Sequence, residues 1–337
     1  MEIEERVAAF VELGEYIKNL PGEKFKSLAE SIRHENPWFT ETNLRMAVSG
    51  ILLYLDEKNL QNWLKQYPAV QRRPLVVLLI MAGNIPLAGF HDFLCVLING
   101  DIALVKLSSK DTVFMKFLAS KLIDIDPNFG SRIRFEESFK NFDAVIATGS
   151  DNSSRYFDYY FAKYPHIIRK NRTSAAVLNG KESELELTKL GQDVFSYFGL
   201  GCRNVSKLFV PQGYDFHPLF KAWESYNDIC LHHKYYNNYI YQKSILAISQ
   251  RPHLDNGFVL LQESETLVSP LAMVYYQYYQ STDELLGHIT SIDHKLQCIV
   301  GNVSPASIKF GQAQMPELMD YADNVDTLAF LLEISNR

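Results

Sequence analysis

Residues Leu75 to Ser109 read LVVLLIMAGNIPLAGFHDFLCVLINGDIALVKLSS, and their pattern decides the fold class. The run from Leu75 to Met81 is continuously apolar, which is typical of a parallel strand buried on both faces. AGNIP then forms a loop, and an apolar helix is predicted from about Leu87 to Ile98. The turn NGD leads into a second predicted strand, Ile102 to Leu107. Two buried strands joined by a helix indicate the start of a parallel sheet.

The segments on both sides of this stretch extend the pattern. Residues 1–70 show apolar residues at helical spacing and are predicted to be packing helices. Ser108 to Asp111 are predicted to cap the next helix. A third strand is predicted over Asp143 to Thr148, followed by a Gly149-Ser150 turn and an aromatic helix that runs to about Tyr164. This alternation predicts an α/β fold with a doubly wound parallel sheet.

Sheets of this kind bind ligands beyond the carboxyl ends of their strands. The relevant loops are Ala82 to Pro86, Leu107 to Lys110 and Thr148 to Asn152. None contains GxGxxG, so the usual dinucleotide fingerprint is missing. Gly149-Ser150 at a helix start fits a phosphate-binding turn or an N-capped surface turn, and the residues alone leave both open.

Composition narrows the class of protein. The chain has 337 residues, which favours two lobes over one core. With 47% hydrophobic and 21% charged residues it is predicted to be folded, and a net charge of −6 without a basic tract argues against nucleic acid as a partner. The longest apolar run is far short of the ~20 residues of a transmembrane helix. Four scattered cysteines and the start MEIEERV indicate a cytoplasmic protein with free thiols.

The second half contains a cysteine at a predicted junction, within FGLGCRNVSKLFVP from Phe198 to Pro211. Apolar residues at helical spacing predict a helix that extends to Phe198 and ends at Gly199 and Gly201. Leu208 to Val210 predict a buried strand. Cys202 therefore lies on a tight turn between two rigid elements, and the local pattern is compatible with a nucleophile or with a core cysteine.

Five segments in this order resemble the aldehyde dehydrogenase superfamily, and within it the acyl-CoA reductases of the bacterial luminescence (LuxC) type. They are GNIP (Gly83 to Pro86), NGDIALVKLSS (Asn99 to Ser109), ATGSD (Ala147 to Asp151), GLGCRNVSKLFVP (Gly199 to Pro211) and ETLVSP (Glu265 to Pro270). The resemblance implies an aldehyde dehydrogenase-like α/β fold with two lobes, each built on a mostly parallel sheet flanked by helices. It implies an NAD(P)-binding lobe over 1–174 and a catalytic lobe over 175–337, whose last helix is free to pack back on the first.

The resemblance also implies roles for individual residues. Cys202 matches the family nucleophile, and Asn84 matches the asparagine whose side-chain amide forms an oxyanion hole with the Cys202 backbone N–H. Lys106 matches the lysine that contacts the adenosine ribose, and Gly149 with Ser150 matches the turn beside the pyrophosphate. The implied cofactor-binding residues are Lys106, Ser108, Ser109, Gly149, Ser150 and Glu265. No metal is implied.

Three departures from the family pattern narrow the reaction. No acidic residue occurs from Ile167 to Gly180, where aldehyde-oxidising members have the glutamate that activates water. Its absence favours CoA-linked reduction over oxidation to an acid. Ser109 replaces a glutamate that would repel a 2′-phosphate, which favours NADPH and leaves NADH open. Thr266 stands where the family has a ribose-binding glutamate, with Glu265 one position away.

Together these features predict the NADPH-dependent reduction of an acyl-CoA, with a fatty acyl group favoured, or of another acyl thioester, to an aldehyde through a cysteine-bound thioacyl intermediate. A reductase of acyl phosphates and a non-catalytic relative that serves as a binding scaffold are the alternatives. Acyl chain length and a homodimeric state stay open.

Other clusters are given structural interpretations. Cys230, His232 and His233 are too close together in sequence to face one ion, so no zinc site is expected. His91 is predicted to pack or cap a helix. The tyrosine-rich runs Tyr235 to Tyr241 and Tyr275 to Tyr279 are compatible with an acyl tunnel, aromatic strand faces or a subunit interface.

Overall fold

The computed structural model describes residues 1–68, 73–136 and 139–335. It begins with four helices, α1 (Ile3–Lys18), α2 (Gly22–Glu35), α3 (Glu41–Tyr54) and α4 (Glu57–Leu64). Side-chain caps start two of them: Thr40 accepts a hydrogen bond from the Asn43 N–H, and Asp56 accepts one from the Asn59 N–H. The prediction of helices before the first strand is confirmed over 1–68, and residues 69 and 70 lie outside the described part.

The chain divides into two compact units, Met1–Asn171 with Pro316–Arg337, and Arg172–Met315. The last described helix, α12 (Thr327–Ser335), belongs to the first unit. The assignment of an NAD(P)-binding lobe to 1–174 and of a catalytic lobe to 175–337 stays a prediction.

The first unit contains a five-stranded sheet in which every strand is parallel to its neighbours. Its strands follow the order β3-β2-β1-β4-β5. The elements are β1 (Val76–Ile80), α5 (Phe90–Ile98), β2 (Ile102–Lys106), α6 (Val113–Ile125), β3 (Ile133–Phe135), β4 (Ala144–Thr148), α7 (Asp151–Phe161) and β5 (His166–Arg169). The three strands predicted from apolar runs are confirmed. The edge strands β3 and β5 were not predicted, because IRF and HIIR each contain only two apolar residues.

The second unit contains a six-stranded sheet in the order β11-β6-β7-β10-β9-β8, and only its short edge strand β8 is antiparallel. The elements are β6 (Thr173–Val177), α8 (Glu184–Phe195), β7 (Val205–Pro211), α9 (His217–Trp223), α10 (His233–Ile248), β8 (Leu254–Asp255), β9 (Leu260–Glu263), β10 (Met273–Tyr279), α11 (Thr282–Ile292) and β11 (Leu296–Val300). The predicted fold class, α/β with two units that are each built on a mostly parallel sheet, is confirmed.

Helices cover both faces of this second sheet. Because strand side chains alternate, Leu208 and Val210 pack on one side with Trp223 of α9, while Phe209 packs on the other side with Leu285 of α11. The continuous apolar run of β7 is therefore explained by burial on two faces.

One local prediction was wrong, and one of the interpretations left open for a tyrosine-rich run is excluded. The helix before Cys202 ends at Phe195 instead of Phe198, because Ser196 is extended and the next residues have left-handed backbone. The run Tyr235 to Tyr241 lies in α10 and is not a strand face. Tyr235 and Tyr239 are both buried at a four-residue spacing, which is the helical period.

No helix within the described ranges is long and apolar enough to span a bilayer.

Candidate active site

The predicted cofactor residues of the first unit follow the carboxyl ends of three neighbouring strands. The order β3-β2-β1-β4-β5 reverses direction between β1 and β4, and ligands of doubly wound sheets bind at such a point. Asn84 follows β1, Ser108 and Ser109 follow β2, and Gly149 follows β4. Lys106 is the last residue of β2, with its Nζ 5.3 Å from the ring centroid of Phe139. The topology thus gathers these residues at one edge of the sheet.

The loops after β1 and β2 lie in close contact. A Cβ atom built on Gly83 would lie 2.5 Å from Ser108 Oγ, which is too close for any side chain. Glycine at this position therefore lets the loop that carries Asn84 approach the KLSS loop.

Asp111 also holds the loop that carries Asn84. Its carboxyl group is buried, and Oδ2 accepts a 2.7 Å hydrogen bond from the Leu87 N–H. Oδ1 has no hydrogen-bond partner among the described residues. Burial raises the pKa of Asp111 to about 7, and the nearby charge of Glu35 adds to the rise. The sequence predicted Asp111 only as part of a helix cap and not as a support for this loop.

The residues predicted to cap the helix after β2 were wrong. α6 starts at Val113, and Ser108 to Asp111 precede its N-cap, Thr112. The backbone N–H groups at the start of α6 donate instead to the Glu35 carboxylate, which lies 2.9 Å from the Thr112 nitrogen and 3.1 Å from the Val113 nitrogen. A side chain from α2 replaces the local cap, and such a partner cannot be read from the sequence around residue 110.

The turn after β4 has features of a phosphate site and of an N-cap. Ser150 Oγ accepts a hydrogen bond from the Ser153 N–H at the start of α7. A Cβ on Gly149 would lie 2.8 Å from Ser153 Cβ and from the Phe157 ring, so only glycine lets α7 begin directly after the strand. The N–H groups at a helix N-terminus beyond a parallel strand fit an anionic pyrophosphate. These residues therefore fit the nucleotide cofactor that the resemblance implies.

In the second unit, two consecutive turns separate α8 from β7 and present Cys202. The first spans Tyr197 to Leu200 and closes with a 3.1 Å hydrogen bond from the Leu200 N–H to the Tyr197 carbonyl. Its central residues, Phe198 and Gly199, have φ angles of 58° and 79°. The second turn spans Gly201 to Asn204 and closes with a bond of the same length. Gly201 does not have a positive φ, so the prediction that both glycines need a left-handed backbone holds only for Gly199.

Cys202 is exposed on the second turn, whereas Cys95 and Cys298 are buried and Cys230 is intermediate. Its carbonyl accepts a 3.1 Å hydrogen bond from the hydroxyl of Ser174, a fully buried residue of β6. The Cys298 sulfur lies 3.1 Å from the same hydroxyl oxygen. Cys202 is thus exposed while its backbone carbonyl is held by a buried side chain, as a nucleophile requires.

A cavity of about 50 Å³, lined by both apolar and polar residues, lies beside these turns. Phe198 and Gly199 line one side, and Leu271 and Met273 line another. Since about 10–15 Å³ of such volume holds one water molecule, the cavity admits only a small group.

Glu265 and Thr266 are exposed between β9 and β10. Their backbone is held by Lys207, whose Nζ donates to the carbonyls of Ser264 and Thr266. Burial lowers the pKa of Lys207 to about 8. Lys207 was not singled out from the sequence, because a lysine within a strand gives no sign of what it contacts.

The other clusters are packing groups. His91 Nε2 lies 2.9 Å from the Leu318 carbonyl, and the His91 ring packs edge-on against Tyr54 and Tyr321, so the prediction of a packing role is confirmed. His232 stacks on His233 and contacts Phe198. Over 1–68, 73–136 and 139–335, no three His, Cys, Asp or Glu residues are grouped as metal ligands.

Solved structures of aldehyde dehydrogenases share this fold. Aldehyde dehydrogenase 21 from Physcomitrella patens, solved with its product succinate, superimposes with a TM-score of 0.69 at 10% identity, covering 99% of this chain and 85% of that chain. An NADP-dependent glyceraldehyde-3-phosphate dehydrogenase from Bacillus halodurans, solved with NADP, superimposes with a TM-score of 0.63 at 14% identity, covering 90% of this chain and 75% of that chain. Aldehyde dehydrogenase C from Pseudomonas syringae, solved with NAD⁺ and octanal, has a TM-score of 0.62 at 13% identity, covering 86% of this chain and 70% of that chain. At these identities the likeness shows the fold.

Sequence comparison supplies the family. No curated protein matches the chain significantly. The profile of the acyl-CoA reductase (LuxC) family matches residues 15–215, which is more than half of the chain. The chain therefore belongs to the LuxC family of acyl-CoA reductases, which supports an oxidoreductase of acyl or aldehyde groups on an aldehyde dehydrogenase fold.

Proposed function

We propose that this protein reduces an acyl-CoA thioester to an aldehyde with NADPH, through a thioacyl intermediate on Cys202. The observation that carries the proposal is the exposure of Cys202 on a turn whose backbone is anchored by buried side chains. Family membership supports the acyl substrate.

Cys202 acts as a thiolate that attacks the thioester carbonyl carbon. A new carbon–sulfur bond forms as the bond to CoA breaks, and CoA leaves as a thiol after taking up a proton. The side-chain amide of Asn84 and the Cys202 N–H donate hydrogen bonds to the oxyanion, and each such donor typically contributes about 3 kcal/mol. After reduction of the thioacyl group, collapse of the thiohemiacetal releases the aldehyde and returns the Cys202 thiolate.

The residues that match the family's cofactor site would hold NADPH. Lys106, Ser108 and Ser109 would hold the adenosine side, Gly149 and Ser150 would bind the pyrophosphate through the α7 N-terminus, and Glu265 would contact the nicotinamide ribose. Bound NADPH supplies the hydride for the reduction. The neutral hydroxyl of Ser109 tolerates a 2′-phosphate, so NADPH is preferred to NADH.

Water is not activated in this site. The segment from Ile167 to Gly180, where aldehyde-oxidising relatives carry a general base, has no carboxylate, and β6 within it is buried throughout. Without a base, the thioacyl group persists until it is reduced or returned to a thiol.

Replacement of Cys202 by alanine tests the proposal. Wild-type protein incubated with acyl-CoA in the absence of NADPH should gain the mass of one acyl group, and the Cys202→Ala variant should gain none. Cys230→Ala, which removes the half-buried cysteine, is the matched control and should label normally. Acylation and aldehyde formation that persist in Cys202→Ala would refute the assignment.

Separate assays with acyl phosphate distinguish the alternative substrate. Turnover of acyl phosphate with NADPH, and none of acyl-CoA, would indicate the acyl-phosphate reductase. If calorimetry detects no nicotinamide cofactor binding, the non-catalytic scaffold is favoured.

A further inference from the structure

The end of α8 lacks the usual helix termination. Ser196 is extended, with φ −52° and ψ 142°, and Tyr197 and Phe198 then take left-handed backbone without being glycine. Left-handed conformations of side-chain-bearing residues cost energy and persist only where surrounding contacts impose them. The carbonyls of the last helical turn also need donors that the continuing chain would supply in a common C-cap.

Asn204 supplies those donors. Its side chain is buried, and the two hydrogens of Nδ2 are shared among the carbonyls of Asp193, Val194 and Ser196, which lie 3.1, 3.2 and 2.8 Å from the nitrogen. Oδ1 of the same amide accepts a 2.8 Å bond from the Gly201 N–H. One side chain therefore joins the end of α8 to the first residue of the turn that carries Cys202.

We propose that Asn204 is a positioning residue whose amide fixes the Gly201–Asn204 turn against the end of α8 and so sets the direction of the Cys202 thiol and N–H. The inference rests on the proposed role of Cys202 as the acyl acceptor. Ser174 holds the same turn through the Cys202 carbonyl. With both contacts in place, the turn is held by two buried side chains while Cys202 itself is exposed.

The contribution of Asn204 is largest in acyl transfer. A small alkylating reagent such as iodoacetamide reacts with any exposed thiolate, and the direction of the thiol matters little. Acyl transfer also needs the Cys202 N–H to face the developing oxyanion, so a displaced turn slows it more. The ratio of the two rates measures positioning separately from exposure.

The test compares Asn204→Ala with Asn43→Ala, which removes another buried asparagine, bonded to the Trp38 carbonyl of the first unit. Acyl-enzyme formation from acyl-CoA and iodoacetamide alkylation of Cys202 are both followed by peptide mass spectrometry. We expect the ratio of acylation to alkylation to fall at least tenfold in Asn204→Ala and to stay within twofold of wild type in Asn43→Ala. Equal ratios in the two variants would overturn the proposal.

A second variant covers a failure of Asn204→Ala to fold. Ser174→Ala removes the donor to the Cys202 carbonyl while leaving Asn204 intact, and we expect a fall of at least threefold in the same ratio. An unchanged ratio in folded Ser174→Ala would contradict the two-sided anchoring.

Hydrogen exchange separates this inference from the proposed function. The Gly201 N–H, bonded to Asn204, should exchange at least tenfold faster in Asn204→Ala than in wild type, whether or not acyl-CoA reacts. If wild-type protein forms no acyl-enzyme, the proposed function fails, while faster exchange still supports anchoring by Asn204. Unchanged exchange at Gly201 overturns the anchoring itself.

Discussion

Replacing Asp111 by asparagine tests whether a buried carboxyl group makes the protein sensitive to pH. Asp111 is 2% exposed, and one of its oxygens accepts the Leu87 N–H at the end of the loop that carries Asn84. Burial is the main cause that raises the pKa of Asp111 from 3.8 to about 7. Asparagine keeps an oxygen for the Leu87 N–H and cannot ionise.

The sign of the effect follows from the raised pKa. The folded state binds the Asp111 proton more tightly than the unfolded state, so the stabilisation is fully present below the unfolded-state pKa and is lost as pH rises through about 7. A difference of about 3 pKa units corresponds to about 4 kcal/mol. We treat this as an upper bound, since local rearrangement reduces the cost of ionisation.

The assay is the free energy of unfolding in urea, measured at about pH 4 and about pH 8 for wild type and Asp111→Asn. From pH 4 to pH 8, the free energy of unfolding of wild type should fall by about 2 to 4 kcal/mol more than that of the variant. Asp56→Asn changes an exposed N-cap and should follow wild type within about 0.5 kcal/mol at both pH values. A difference between wild type and Asp111→Asn that does not change with pH would refute the reasoning.

Three further substitutions test other contacts. Arg169→Met leaves the largely buried carboxylate of Asp92 without its 2.7 Å partner and should lower the free energy of unfolding, measured in urea, by about 3 to 5 kcal/mol. A loss under about 1 kcal/mol would contradict the need for the pair. Gly149→Ala should weaken NADPH binding by about tenfold in calorimetry, because its Cβ would displace the start of α7, whereas Gly22→Ala, with nothing within 4 Å, should not. Burial lowers the pKa of Lys207, so between about pH 8 and 10.5 the unfolded state binds more protons and wild type becomes more stable as pH rises. Lys207→Met should remove this gain. Thermal midpoints of the two proteins that differ equally at all pH values would contradict it.

The strands show which parts of the fold are local properties of the sequence. β1, β2 and β4 are runs of apolar residues buried on both faces, and such runs are visible without any tertiary information. The edge strands β3 and β5 are exposed on part of their surface and need no apolar run, so their pairing is decided by the sheet they join.

The residues of the candidate site also fall into those that the sequence singles out and those that only the structure reveals. Order and spacing of the motifs were enough to single out Cys202, Asn84 and the loops at the carboxyl ends of the first sheet, and the catalytic roles of these residues remain proposals. No pattern in the sequence indicates such a role for the groups that hold them. Asn204 and Lys207 lie within GLGCRNVSKLFVP without an assigned function, Asp111 was predicted only to help cap a helix, and Ser174 lies outside the five segments.

The sequence by itself determined the α/β class, the central strands and the family, because apolar periodicity and motif order are written along the chain. Only the tertiary structure decided that Cys202 is exposed and that α8 ends three residues before Phe198. Ser174 lies 28 residues from Cys202, and Asp111 lies 24 residues from Leu87. Hydrogen bonds between such distant residues depend on how the strands pair, and for that reason no local pattern predicts them.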